Sequence, residues 1–125
     1  VTTEQMINDV RVVFRDGIGA KFGWDLIGPM NRFTEAMAAK TLELQGGDEN
    51  ADKVLIPGGA VVELVHDALG WKAAVLLVRA AVESWDFPGD LTTDECCDDL
   101  DTLGELFPLI VRGRQIYLGV PLSGE

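Results

Sequence analysis

The sequence predicts a mainly α protein: a compact bundle of about four to five helices in one globular domain, residues 1–125, with a short C-terminal hairpin or strand of β type. Three observations lead there. Apolar residues recur at helical spacing through most of the chain, Gly and Pro punctuate those stretches, and the tail after Phe107 turns to β-type residues. With 47% hydrophobic residues among 125, the chain has the length of one domain and enough apolar surface for a core.

The first helix is expected at the start. Thr2 with Gln5 makes a capping box, Ile7, Val10 and Phe14 share a face flanked by Met6 and Val13, and Gly17 offers a left-handed stop. A hairpin competes, because VRVVF is dense in β-branched residues and Asp16-Gly17 is a turn dipeptide. The helix is preferred because the apolar positions do not strictly alternate. Residues 17–28 then read as packed Gly-rich turns, with room for one short helical piece, carrying Phe22, Trp24, Leu26 and Ile27. Pro29 suits the first turn of a second helix, in which Met30, Phe33, Met37, Thr41 and Leu44 form one stripe.

QGGDENAD, residues 45–52, ends that helix in a polar loop, and KVLIPGG, residues 53–59, reads as a short apolar approach or a single strand. Helical patterning resumes from Ala60 to Leu69, pauses at Gly70 and continues from Trp71 to Ser84 or Trp85. Trp71, Val75, Val78, Val82 and Trp85 trace one path along it. Only Lys72, Arg79 and Glu83 make a polar stripe, so this is expected to be the central, mostly buried element.

The next stretch, Val82 to Leu106, holds nine carboxylates and no Lys or Arg. Pro88 and Gly89 break the preceding helix, and Thr92 with Glu95 forms a second capping box. Asp94 and Glu95 fall in the expected first turn, where the helix dipole favours negative charge. Leu100, Leu103 and Phe107 supply the inward stripe, with Asp98, Asp99 and Asp101 facing water. In the tail, the LIV and QIYLGV runs flank Arg112-Gly113-Arg114 and read as the hairpin or strand.

Composition narrows function. A net charge of −11 and a pI near 4.3 argue against binding nucleic-acid phosphates or anionic lipid and favour a basic partner. The longest apolar run, Ala73 to Val78, is far short of the roughly 20 residues a membrane span needs, and no signal peptide is visible. Cys96 and Cys97 are adjacent and read as free thiols, which fits a reducing cytoplasm.

Catalytic constellations are thin. His66 is the single histidine; with Glu63 it spells E-x-x-H, but a di-iron bundle needs a second histidine the chain lacks. Cys97, or Cys96, with His66 is the remaining enzymatic option, and the surrounding carboxylates oppose a reactive thiolate. GIGAKFG has the wrong spacing for a dinucleotide loop, and the acidic run lacks the alternation of a calcium loop. No catalytic residue, cofactor or metal is expected.

VESWDFPGDLTTDECCDDL, residues 82–100, resembles the C-terminal part of tail-assembly chaperones from long-tailed bacteriophages. The matching positions are Val82, Trp85, Phe87, Gly89, Thr92, Glu95 and Leu100, and the likeness covers about a quarter of the chain. It implies a non-catalytic protein that binds other proteins during tail or virion assembly, in host cytoplasm or in the virion. The leading expectation is therefore a protein–protein interaction role, with self-association compatible with it. Trp24, Met30, Phe33 and Met37 are the apolar contact candidates, and Asp98, Asp99 and Asp101 the acidic ones. The alternative is an acidic inhibitor or nucleic-acid mimic that occupies the basic groove of a partner, and a small enzyme using Cys97, or His66 with Glu63, stands third.

Overall fold

The computed structural model describes residues 2–45 and 58–119. Four α-helices and a three-stranded antiparallel sheet are seen among them, so the fold is mixed α and β. The expected helical bundle is corrected at both ends of the chain. The residues fall into two compact units, one holding Val1–Leu26 and Lys72–Glu125, the other Ile27–Trp71.

In the first unit the chain opens with β1 (Thr3–Ile7) and β2 (Val10–Phe14), paired from Thr3 opposite Phe14 to Ile7 opposite Val10. Asn8 and Asp9 form the two-residue turn, both at positive φ, 51° and 64°. That is the geometry a right-twisted hairpin needs, and Asn and Asp tolerate it best after Gly. The predicted first helix, with its Thr2–Gln5 box, is absent for this reason. In β1 burial alternates, with Gln5 and Ile7 inside and Glu4 and Met6 outside. In β2, the middle strand, Val12, Val13 and Phe14 are all buried, which hides the alternation.

α3 (Trp71–Ala81) is buried along Ala73, Ala74, Val75, Leu77, Val78, Ala80 and Ala81. It ends three or four residues earlier than predicted and passes directly into β3 (Val82–Trp85), which pairs with β2. Phe14 lies opposite Val82 and Val13 opposite Ser84, leaving Glu83 as an extra residue in a bulge. The Arg15 N–H donates to the Ala81 carbonyl at 2.8 Å, closing the junction.

The last helix, α4 (Phe107–Tyr117), replaces the predicted C-terminal hairpin or strand. Pro108 sits in its first turn, and Leu109, Ile110, Gly113 and Ile116 face inward at helical spacing. The Arg-Gly-Arg expected as a turn is mid-helix. Gly113 is a contact surface here: a Cβ on it would lie 3.0 Å from Leu77 Cγ.

In the second unit, Ile27–Gln45 continue α1 (Ala20–Gln45), which begins nine residues ahead of Pro29 and therefore earlier than predicted. Pro29 lies inside that helix, where it removes one backbone donor. α2 (Gly58–Leu64) is followed by a wider π-type turn, Val65–Leu69. The Gly70 N–H closes that turn on the Val65 carbonyl at 2.8 Å, and its φ of 85° makes glycine the residue that fits. The polar loop and most of the apolar approach expected over residues 45–57 lie outside the described residues. No helix among the described residues is long and apolar enough to cross a membrane.

Candidate functional site

The carboxylate-rich segment was expected to be a capped helix. From Asp86 to Leu100 it is a chain of turns. Two local causes stand out. Asp90 Oδ1 accepts the Thr92 N–H at 2.9 Å and the Thr92 hydroxyl at 2.7 Å, an arrangement that holds Thr92 away from the capping role given it from sequence. Arg79, reaching over from α3, then takes the carbonyls a helix would need. Its Nε donates to the Leu91 carbonyl at 2.9 Å, its Nη2 to the Thr92 carbonyl at 3.2 Å, and its Nη1 to Asp94 Oδ1 at 2.6 Å. One guanidinium thereby fixes three acceptors within four residues of the loop.

The Pro88-Gly89 turn is anchored from both sides. The Trp85 indole N–H donates to the Gly89 carbonyl at 2.8 Å, and the Trp85 and Phe87 rings meet edge to face with centroids 5.2 Å apart. Gly89 lies flat on the Cys96 backbone; a Cβ there would fall 2.1 Å from the Cys96 carbonyl oxygen. No other residue fits.

The cap predicted at Thr92 and Glu95 occurs instead at Asp101 and Glu105. Asp101 Oδ2 accepts the Gly104 N–H at 2.6 Å, and Glu105 Oε1 accepts the Asp101 N–H at 2.7 Å. The exchange is a capping box with one extra residue, because the turn it opens, Thr102–Leu106, is of π type. The other oxygen of Glu105 accepts from Asn8 Nδ2 at 3.2 Å and ties the hairpin tip to this turn.

These anchors shape an open cleft of about 310 Å³. Phe87, Pro88 and Leu100 give it apolar walls, Gly89 and Cys96 line it between them, and Glu95, Asp99 and Glu105 are the acidic residues along it. The carboxylates of Glu95, Asp98 and Asp99 take no hydrogen bond or ion pair from another described residue. Arg79, the cation that reaches this segment from α3, is committed to its three acceptors.

Cys96 and Cys97 are both buried, with sulfurs 3.7 Å apart. Burial pushes the Cys96 thiol up, and it pushes the Cys97 thiol well above the ordinary range, helped by the neighbouring sulfur and Asp98. A thiol so placed is a poor nucleophile. His66 and Glu63 lie exposed in the second unit, His66 Nδ1 2.9 Å from Asp67 Oδ1. No group of three or more His, Cys, Asp or Glu able to hold a metal is found among the described residues.

Of the sequence-chosen contact residues, Trp24 is 82% exposed and Met37 half-buried. Met30 and Phe33 are 1% and 3% exposed, so they are core residues and offer no outward surface. Asp98, Asp99 and Asp101 are exposed as expected, with Asp101 also serving as the cap. Sequence reasoning passed over Phe87, Leu100, Glu95 and Glu105 as one site. The available signal was Arg79, a cation near the end of an apolar helix next to an all-acidic segment.

No family model, curated protein or solved structure matches the chain.

Proposed function

We propose that this chain is a non-catalytic protein-interaction protein, and that its partner is basic. The observation that carries the reading is the set of carboxylates unpaired among the described residues, Glu95, Asp98 and Asp99, displayed on a segment whose conformation is held by Arg79, Asp90 and the Asp101–Glu105 pair. Charges held in place without an internal counter-ion steer and select an oppositely charged surface. Trp24 adds an exposed aromatic of the kind that anchors interfaces. Assembly of a bacteriophage tail or virion is the setting we propose, on the likeness of residues 82–100 alone. Occupation of a nucleic-acid-binding groove is the narrower form of the same reading.

The test is binding to an immobilised basic probe, poly-L-arginine or poly-L-lysine, over a range of salt. Asp98→Asn, Asp99→Asn and Asp101→Asn are combined in one variant, since Asn at 101 keeps an acceptor for Gly104. Binding that weakens at least about tenfold between low and physiological salt, and again in the variant, supports the reading. Binding indifferent to both removes it. Competition by duplex DNA for a basic DNA-binding protein would select the narrower form.

A further inference from the structure

We infer that the cleft walled by Phe87, Pro88 and Leu100 receives an arginine side chain of the basic partner. This deepens the reading above and rests on it. A volume of about 310 Å³ lies at the small end of ligand clefts, enough for one side chain and too small for a nucleotide cofactor. Apolar walls and acid together define what can enter. An apolar side chain would bring the cleft's carboxylates no counter-charge, and an anion would meet repulsion from three of them.

Between the two cationic side chains, the walls choose. A lysine ammonium is a compact, strongly hydrated charge that gains little from an apolar surface. A guanidinium is planar and weakly hydrated; it lies against aromatic and apolar groups on its faces while its edge donates to carboxylates. The cleft supplies both kinds of contact, with Phe87, Pro88 and Leu100 for the faces and Glu95 and Asp99 for the edge. Glu95 and Asp99 are four residues apart and both are unpaired among the described residues. Glu105 is held by the Asp101 N–H and Asn8, so its negative charge is fixed in position with no cation paired to it among the described residues.

The acceptors are also pre-arranged. The Trp85 bond to Gly89, the Gly89–Cys96 backbone contact and the Arg79 clamp hold the loop before any partner arrives, so binding loses little loop entropy.

The experiment uses three short, otherwise uncharged peptides carrying one arginine, one lysine or one citrulline, titrated into the ¹⁵N-labelled full chain at low salt. The arginine peptide is expected to shift the amides of Gly89, Cys96 and Leu100 and to bind at least about fivefold tighter than the lysine peptide. Citrulline, planar but uncharged, is expected not to bind. Leu100→Trp should fill the cleft and abolish the arginine preference; Asp99→Asn, an exposed change that leaves the fold intact, should weaken arginine binding about threefold or more. Equal arginine and lysine binding, or shifts confined to Asp98 and Asp101, overturns the cleft while leaving the basic-partner reading in place. Failure of poly-L-arginine and poly-L-lysine to bind at all overturns that broader reading instead.

Discussion

Gly113 of α4 rests on Leu77 of α3 with no room between them: a methyl group added at Gly113 would sit 3.0 Å from Leu77 Cγ and 3.4 Å from both of its terminal carbons. Leu77 is fully buried, so any shift of its side chain must displace packed neighbours. Gly113→Ala would gain roughly 0.5–1 kcal/mol of helix propensity in isolation. Here the overlap is expected to outweigh it and lower stability by about 1–2 kcal/mol net. Urea denaturation checks the sign; a more stable variant would show that the two helices can part without loss.

Arg79 is expected to determine whether residues 91–94 stay ordered. Arg79→Met keeps the stem and removes three donated hydrogen bonds, leaving the Leu91 and Thr92 carbonyls without their donor. A loss of about 1–3 kcal/mol is expected, together with faster amide hydrogen exchange over residues 89–100. Arg79→Lys should recover only part of it, because an ammonium cannot present the same planar fork. Unchanged exchange in Arg79→Met would mean that the turns hold by themselves.

Both thiols are expected to react with a disulfide reagent at least about tenfold more slowly in the folded chain than in denaturant. Their folded pKa values lie above those of the unfolded chain, so their contribution to stability is complete below about pH 8.5 and is lost as pH rises above it. Alkaline melting should therefore lower Tm, and Cys97→Ser should expose the effect by removing the larger share. Rapid labelling of Cys97 at neutral pH would reopen the enzymatic alternative.

Asp90 is shifted the other way. The Thr92 N–H and then the Thr92 hydroxyl stabilise its carboxylate and hold it below the usual range. A depressed folded pKa contributes stability above the unfolded value, about 3.9, and that contribution disappears as pH falls through the lower folded one. Carboxyl carbon shifts followed by NMR should show Asp90 titrating below the ordinary Asp range, and Thr92→Val should return it towards that range.

The glycine at position 89 is required for space. Gly89→Ala would place a Cβ 2.1 Å from a backbone oxygen, and backbone cannot step aside as a side-chain tip can. The variant is expected to lose about 3 kcal/mol or more or to reorganise the loop. Trp85 fluorescence should change with it, since its indole bond ends on that residue.

Taken by itself, the sequence determined the parts that local chemistry controls. The apolar face of α3, the pause at Gly70 and the exposed placement of Asp98 and Asp99 were all legible, because spacing, glycine and charge act on their neighbours. What the tertiary structure decided lies where distant groups overrule local preference. The Thr92–Glu95 cap and its helix yielded to Arg79, a residue from another element that binds the carbonyls the helix would have used. The opening strands gain their ladder only by pairing with each other and with β3, some 70 residues further on, and Gly113 looks like a turn until Leu77 is set against it. The cleft is of the same kind: its walls and carboxylates are gathered by turns whose geometry depends on Trp85, Arg79 and Asn8, and no spacing along the chain records those contacts.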